Sequence, residues 1–267
     1  MPISPFSVAS LLLTPLVETK PLGTATGFVL THDAKNYLIT NWHVVAGRNR
    51  LTGQPIHNSA ATPDSITIRC LENRGRRASY VDVARWVDVS EELLDEEGMP
   101  LWLEHPKFGR RVDVVALPLT PRSNTQLVPY NDQLMNETMR AGVSDWVNIL
   151  GFPFGVTGGG SLAVWTKGAI ATEVDVDFGD LPCFLIDSRT RPGQSGSPVI
   201  AYSPGGMTAM ANGETVMAQN AMANLLGVYS GRINEKSDLG HVWKTKAVRE
   251  ILTNGVEGNG ALNSNAT

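Results

Sequence analysis

The sequence predicts an all-β protein that ends in one helix. Short apolar runs recur along the chain and are separated by Gly, Pro, Asn and Asp, which is typical of β-barrels and β-sandwiches. Within Ile66–Cys70 the apolar residues alternate with polar ones, as a half-buried strand requires. Apolar residues between Trp243 and Leu252 recur at helical spacing, and Asn254-Gly255 marks the end of that helix.

The candidate strands fall into two β-rich halves. The first covers Val8–Val17, and the others are predicted at Gly27–Leu30, Tyr37–Thr40, Ser65–Leu71, Tyr80–Val87, Val112–Leu117, Trp146–Leu150, Ser161–Thr172, Cys183–Asp187, Val199–Ala201 and Leu225–Tyr229. Between the halves, Thr120–Met139 is rich in Pro and Asn, as a linker is. We therefore expect β units at residues 1–120 and 141–254, a linker at 121–140 and a flexible tail at 255–267.

Two segments look like insertions. Ser90–Glu97 is acidic, and because it lacks the ligand spacing of a calcium site it is expected as a solvated face or loop. Ser203–Ala223 is rich in Gly, Ala, Met and Asn and predicts a long hairpin between two strands. A flexible loop that faces the substrate is the alternative for this second segment.

Composition argues against several classes of function. The net charge is −4 and the basic residues are scattered, so no nucleic-acid partner is expected. Leu11–Leu13 is too short an apolar run to cross a membrane, and Met1–Thr14 lacks the basic start of a secretory signal. Cys70 and Cys183 lie in apolar runs and are expected as buried free thiols. We expect a cytoplasmic protein with no membrane partner, metal or cofactor.

The candidate nucleophiles lie in the turn Gly193–Pro198, which reads Gly-Gln-Ser-Gly-Ser-Pro. Its first serine, Ser195, stands between glycines ahead of an apolar run, which suits a nucleophile with an exposed hydroxyl. Ser197 is the alternative hydroxyl in the same turn. A serine nucleophile needs a base within hydrogen-bond reach, and that base needs an orienting group.

His43 is the candidate base. It follows the apolar run that ends at Thr40, so the backbone would be fixed by a strand while the imidazole ring stays accessible. The remaining four histidines lie in turns or polar loops. They are His32, His57, His105 and His241.

The orienting group should be a carboxylate held away from water. Asp113 lies in the apolar run Val112–Leu117. Burial of an acid there requires a charged or hydrogen-bonding partner. Asp82 has similar surroundings and competes for the role.

Five segments in this order resemble the chymotrypsin/trypsin-fold serine peptidases, in particular the bacterial branch of glutamyl endopeptidases and HtrA-type enzymes. They are Gly23–Val29, Leu38–Val45, Asp113–Leu117, Gly151–Gly155 and Gly193–Pro198. The resemblance implies two packed six-stranded antiparallel β-barrels, with His43 and Asp113 in the first barrel and Ser195 in the second. No PDZ-like segment follows the helix, so we expect no PDZ domain.

The resemblance also assigns roles. Asp113 is favoured over Asp82 because the family's acid precedes a Val-Ala-Leu-like run, although one extra valine intervenes here. Ser195 is favoured over Ser197, whose place the family often fills with glycine. The backbone N–H groups of Gly193 and Ser195 would form the oxyanion hole.

Substrate contacts are implied for Arg189 and Thr190 and for the later segment Tyr229, Ser230 and Gly231. One hypothesis is that Arg189, with Arg232, favours an acidic residue before the scissile bond. The alternative is that Arg189 points to solvent or pairs with Asp187.

The leading interpretation is a serine endopeptidase that acts on peptide or protein substrates through an acyl-enzyme. A regulatory partner protein or a rearranging active-site loop would restrain it. A catalytically silent module that binds peptides or proteins is the alternative. An α/β-hydrolase esterase is excluded because its serine precedes the acid and the histidine.

Overall fold

The computed structural model describes residues 3–73, 85–130, 139–234 and 236–259. The strands are β1 (Ser10–Val17), β2 (Lys20–Pro21), β3 (Ala25–His32), β4 (Lys35–Thr40), β5 (Ser65–Glu72), β6 (Trp86–Glu92), β7 (Leu103–Glu104), β8 (Val115–Pro118), β9 (Thr125–Gln126), β10 (Trp146–Gly151), β11 (Val164–Ile170), β12 (Cys183–Asp187), β13 (Pro198–Ser203), β14 (Gly206–Ala209), β15 (Thr215–Ala218), β16 (Met222–Arg232), β17 (Leu239–Lys244) and β18 (Val256–Glu257). The helices are α1 (Pro5–Ala9), α2 (Trp42–Ala46) and α3 (Thr245–Asn254), and 3₁₀ turns occupy Gly109–Arg111 and Pro153–Gly155. None of the described helices is long and apolar enough to cross a membrane.

The nine strands of the first half of the chain and the C-terminal strand β18 form a ten-stranded sheet with antiparallel pairing. Its order is β18-β7-β8-β4-β3-β1-β5-β6, with β2 beside β1 and β9 beside β5. Leu13, Leu38, Ile66 and Trp102 are among the side chains of its buried cluster. Because β4 lies inside this sheet and ends at Thr40, the residues that follow leave it from a fixed position.

The second half forms a closed barrel of six strands, in the order β10-β11-β12-β17-β16-β13. Its interior contains Ile149, Phe184, Val199 and Val242, all fully buried. The barrel and the C-terminal helix confirm the predicted all-β class. The hairpin predicted within Ser203–Ala223 is also confirmed, because β14 pairs with β15 there.

Helix α3 joins the two halves. Its side chains Val248 and Ile251 belong to a buried cluster that also holds Val114 from the first half and Val228 from the second. The loop that carries Asp113 is therefore packed against the helix that follows the barrel. His105 strengthens this contact, because its Nε2 lies 2.7 Å from Glu250 Oε2 on α3.

Several predicted boundaries were wrong. Val8 belongs to α1, and β1 begins only at Ser10, because Pro5 at the helix start favours helical geometry. Trp243 lies in β17 rather than in the helix, since it pairs with Cys183 of β12. The apolar periodicity runs from strand into helix without a break, which hid the boundary.

The tail predicted as flexible from residue 255 is ordered at its start. Val256 and Glu257 pair with β7, and the Gly258 N–H donates to the Trp102 carbonyl at 3.0 Å. Residues 260–267 lie outside the described residues, as do residues 74–84 with most of the predicted strand Tyr80–Val87 and with Asp82.

The acidic segment is not uniformly solvated. Ser90, Glu91 and Glu92 lie in β6, and Glu91 is 7% exposed. Its carboxylate accepts a hydrogen bond from the Thr120 hydroxyl at 2.8 Å and lies 3.3 Å from Arg122 Nη2. These partners explain why an acid is tolerated here at a buried position.

The two cysteines match their prediction. Cys70 and Cys183 are buried and free. Burial raises the pKa of Cys70 to about 12 and that of Cys183 to about 11, so both thiols stay protonated at neutral pH.

Candidate active site

His43 and Asp113 form a hydrogen-bonded pair where β4 ends and its neighbour β8 begins. His43 lies in the first turn of α2, directly after β4. Its backbone N–H donates to Asp113 Oδ1 at 2.9 Å, and its ring Nδ1 lies 2.7 Å from Asp113 Oδ2. Since a carboxylate accepts, the ring proton belongs on Nδ1, which leaves Nε2 as the free acceptor.

Asp113 is held in a buried position just before β8 rather than inside the predicted strand. It is 3% exposed and follows the 3₁₀ turn Gly109–Arg111, and its backbone carbonyl accepts a hydrogen bond from Asn41 Nδ2 at 2.7 Å. The two bonds from His43 compensate for the removal of this carboxylate from water. The side chain of His43 keeps 20% of its surface exposed, so its ring reaches solvent.

A second buried acid, Glu104, anchors the helix of His43. Its Oε1 accepts hydrogen bonds from the indole N–H groups of Trp42 at 2.8 Å and Trp102 at 3.1 Å. Burial raises the pKa of Glu104 above its ordinary value, while the two indole bonds act in the opposite direction. The sequence analysis missed this residue, although an acid directly after the apolar stretch Leu101–Leu103 is a local signal for a buried partner.

The turn of Ser195 connects β12 and β13 and depends on two glycines with left-handed backbone. Gly193 has φ +93° and Gly196 has φ +85°. A Cβ atom would collide with the Phe152 carbonyl oxygen at Gly193 and with the Thr26 carbonyl oxygen at Gly196. Only glycine fits both the torsion angle and the space at these two positions.

Hydrogen bonds fix the carbonyl groups around Ser195. The Thr26 hydroxyl donates to the Gly193 carbonyl at 2.8 Å, and the Thr26 backbone N–H donates to the Ser195 carbonyl at 2.8 Å. The Phe154 N–H donates to the Pro192 carbonyl at 2.6 Å. Because N–H and C=O of one trans peptide point in opposite directions, the Gly193 N–H points away from Phe154.

Within the described part of the chain, neither the Gly193 nor the Ser195 backbone N–H donates a hydrogen bond to another residue. Both residues line a cavity of about 580 Å³ that His43 also lines. Two unpaired donors beside one hydroxyl form a site that can stabilise negative charge on a carbonyl oxygen.

Ser195 and Ser197 differ in access. Ser195 is partly exposed at the cavity, whereas Ser197 is fully buried and packs against Gly151. The Ser197 hydroxyl has no hydrogen-bond partner among the described residues. Ser195 and His43 share the cavity wall without a direct hydrogen bond, and such catalytic bonds often tighten only when substrate binds.

The side chain of Gln194 ties the turn to the barrel. Its Nε2 donates to the Thr166 hydroxyl at 2.8 Å, and its Oε1 accepts the Arg191 N–H at 2.8 Å. Gln194 and Thr26 were quoted within motifs by the sequence analysis, but neither was assigned a role. Their partners lie far away in sequence, so no local pattern could identify them.

Arg189, which the sequence analysis assigned to substrate contact, lies in solvent outside the cavity. The Arg189 side chain is 83% exposed, its Nε lies 3.9 Å from Asp238 Oδ2, and it does not line the cavity. Its partner is thus Asp238 rather than the alternative Asp187. Successive residues of an extended segment point to opposite sides, and Thr190 takes the inward side. Arg232 is also exposed.

The other predicted specificity residues lie together in the barrel. Thr190 and Tyr229 are each 2% exposed, and their hydroxyl groups are hydrogen-bonded to each other. Burial raises the pKa of Tyr229 to about 12. Ser230 Oγ accepts the Trp243 indole N–H at 2.8 Å, and Gly231 follows with φ +112°.

Comparison with known proteins gives the family. The family model described as the trypsin-like peptidase domain matches residues 25–210, which is more than half of the chain. No curated protein matches the chain in sequence.

Two of the solved structures that the chain is similar to are described as follows. The serine endoprotease from Yersinia pestis is 14% identical, with 94% of this chain and 66% of that chain covered and a TM-score of 0.51. The active form of the Rv3671c protease from M. tuberculosis is 19% identical, with 95% and 84% covered and a TM-score of 0.48. At 14% identity the Yersinia pestis structure bears on the fold alone. The match of the family model shows that the chain belongs to the trypsin-like peptidases.

Proposed function

We propose that the chain is a serine endopeptidase in which Ser195 is the nucleophile, His43 the general base and acid, and Asp113 the orienting carboxylate. One observation carries the proposal. The buried Asp113 carboxylate holds His43 Nδ1 at 2.7 Å, and His43 lines the same cavity as Ser195 and Gly193. A buried acid, an oriented imidazole and an accessible hydroxyl are the groups that acyl transfer requires.

The mechanism follows from these positions. Ser195 Oγ forms a bond to the carbonyl carbon of the peptide while its proton passes to His43 Nε2. The Gly193 and Ser195 N–H groups stabilise the resulting oxyanion. The C–N bond then breaks as His43 returns the proton to the leaving amine, and water hydrolyses the acyl-enzyme by the same steps.

The hydrogen bonds of the turn support a site that is competent at rest. The Gly193 and Ser195 N–H groups share their peptide planes with the Pro192 and Gln194 carbonyls, which accept hydrogen bonds from the Phe154 and Ser197 N–H groups at 2.6 and 3.0 Å. The turn therefore does not need a partner to orient these two N–H groups. Regulation by a partner protein stays a prediction from the sequence.

Labelling with a fluorophosphonate probe tests the proposal. The wild-type chain should react at Ser195, and Ser195→Ala should not. Ser197→Ala is the matched control, because it removes a buried hydroxyl from the same turn and should label like wild type. Mass spectrometry of the labelled peptide and of cleaved test peptides provides the readout. Absence of Ser195-dependent labelling would contradict the proposal and favour a silent binding module.

Thr26 is expected to act as a positioning residue for the oxyanion hole. Thr26→Val keeps the shape but leaves the buried Gly193 carbonyl and the Phe152 N–H without the hydroxyl, which contacts them at 2.8 and 3.2 Å. Leaving such a group unpaired costs about 1–3 kcal/mol, so kcat should fall about 10- to 100-fold with little change in KM.

Steady-state kinetics of Thr26→Val and Thr26→Ser check this expectation. Serine keeps the hydroxyl and should restore most of the lost kcat. Equal kcat values in the valine and serine variants would show that the hydroxyl has no role in positioning.

A further inference from the structure

The cavity beside Ser195 is larger than the reaction itself needs. Its volume of about 580 Å³ lies in the range of about 300–1,000 Å³ that is typical of ligand pockets. Besides His43, Gly193 and Ser195, its wall includes residues of the segment before β3, of α2 and of the loop that follows α2. Such a volume accepts a large side chain together with the backbone that carries it.

The wall of this cavity is uncharged and largely apolar. Among the described residues that line it there is no Asp, Glu, Lys or Arg, and the titratable side chains are His43 and His57. Two of its large apolar side chains are open to solvent, because Ile56 is 55% and Phe154 is 65% exposed. Exposed apolar side chains grouped in a cleft mark a binding surface, since a ligand that covers them removes apolar area from water.

The cavity lies on the side of Ser195 where the leaving group departs. His43 delivers a proton to the leaving amine, so the leaving peptide passes on the side of its ring. The residues that follow His43 in the chain, from Val44 to Pro63, supply much of the cavity wall. Neither Arg189 and Thr190 nor any residue of β16 lines it.

Neither of the charged residues that the sequence predicted for recognition on the opposite side of the nucleophile, Arg189 and Arg232, lines the cavity. Arg189 is in solvent, and the hydroxyl groups of Thr190 and Tyr229 are bonded to each other. We propose that the enzyme selects its substrates by a large apolar side chain on the first residue after the scissile bond, and that this side chain occupies the uncharged cavity. This inference rests on the proposed endopeptidase function.

A peptide library that varies only the first residue after the scissile bond tests the inference. Leu, Met and Phe at this position should give kcat/KM values at least about 10-fold above Gly, Asp and Lys, because differential burial of apolar groups is worth such a factor. A flat profile, or a preference for a charged residue, would overturn it.

A charge placed in the cavity provides a second test. Ile56→Asp should remove the preference for Leu and raise cleavage before Lys, and the exposure of Ile56 makes this variant compatible with folding. Leu51→Asp is the matched control, because Leu51 is 66% exposed on the same loop but does not line the cavity. An unchanged profile in Ile56→Asp would contradict the assignment of the cavity.

Fluorophosphonate labelling separates this inference from the proposed function. The probe releases only fluoride, which does not fill the cavity, so the wild-type chain and the control Leu51→Asp should label at the same rate whatever the library shows. Normal labelling with a flat library profile would overturn the inference and leave the endopeptidase proposal intact. Absence of both labelling and cleavage would overturn the endopeptidase proposal, and this inference with it.

Discussion

Replacing Asp113 by asparagine should lower kcat for peptide cleavage by about 10⁴-fold without unfolding the protein. The carboxylate accepts two N–H bonds from His43, at 2.9 Å to Oδ1 and 2.7 Å to Oδ2. An amide can accept at only one of these positions, and its NH₂ group then faces the ring nitrogen. The imidazole proton moves to Nε2, and the ring can no longer accept the Ser195 proton.

Kinetics and thermal unfolding of Asp113→Asn check this expectation together. Glu91→Gln is the control, because it also neutralises a carboxylate of a 7% exposed residue in the same half but outside the cavity. Glu91→Gln should keep its kcat. A kcat in Asp113→Asn within about tenfold of wild type would be incompatible with the assigned role of Asp113.

Replacing Glu104 by leucine should lower the free energy of unfolding by about 2–6 kcal/mol, because the indoles of Trp42 and Trp102 both lose their acceptor. Each buried N–H left unpaired costs about 1–3 kcal/mol. Glu104→Gln is the matched variant, since one carbonyl oxygen can accept both bonds that Oε1 accepts now. Urea denaturation of the three proteins measures the difference. Similar stabilities of Glu104→Leu and Glu104→Gln would contradict the assigned role of the indole bonds.

The wild-type protein and Glu104→Gln should also differ in how their free energy of unfolding depends on pH. The folded pKa of Glu104 is raised above 4.5, so the folded state binds the proton more tightly than the unfolded state does. The stability that Glu104 contributes is fully present below the unfolded pKa, and it is lost as the pH rises through the folded pKa. Glu104→Gln does not titrate and should therefore gain stability relative to wild type over that interval.

Each of the proposed catalytic residues stands in a local pattern that singles it out in the sequence. A strand that ends before His43, an acid in an apolar run at Asp113 and a glycine-bracketed serine at Ser195 are each visible in the sequence. The contact between His43 and Asp113 spans 70 positions, and only the order of motifs in the family suggested it. The proposed unit boundaries and the cytoplasmic location stay predictions.

Long-range contacts explain what the sequence could not predict. Thr26 contacts the Gly193 carbonyl across 167 positions of the sequence, and Trp42 contacts Glu104 across 62. Residues so far apart in the sequence produce no periodic pattern from which the contact could be predicted. The solvent position of Arg189 was not predictable, because charge alone does not say to which side of an extended segment a side chain points. That direction is set by Thr190, which packs inward against Tyr229.

The strand β18 makes the two halves of the chain dependent on each other. After completing the barrel, the chain passes through α3 and returns to add Val256 and Glu257 to the first sheet, beside Leu103 and Glu104. Strand β18 thus lies beside Glu104, which accepts the hydrogen bond of the Trp42 indole, and Trp42 directly precedes His43 in the chain. A fragment that stops at residue 120 would lack this edge, so the first sheet is a joint product of both ends of the chain.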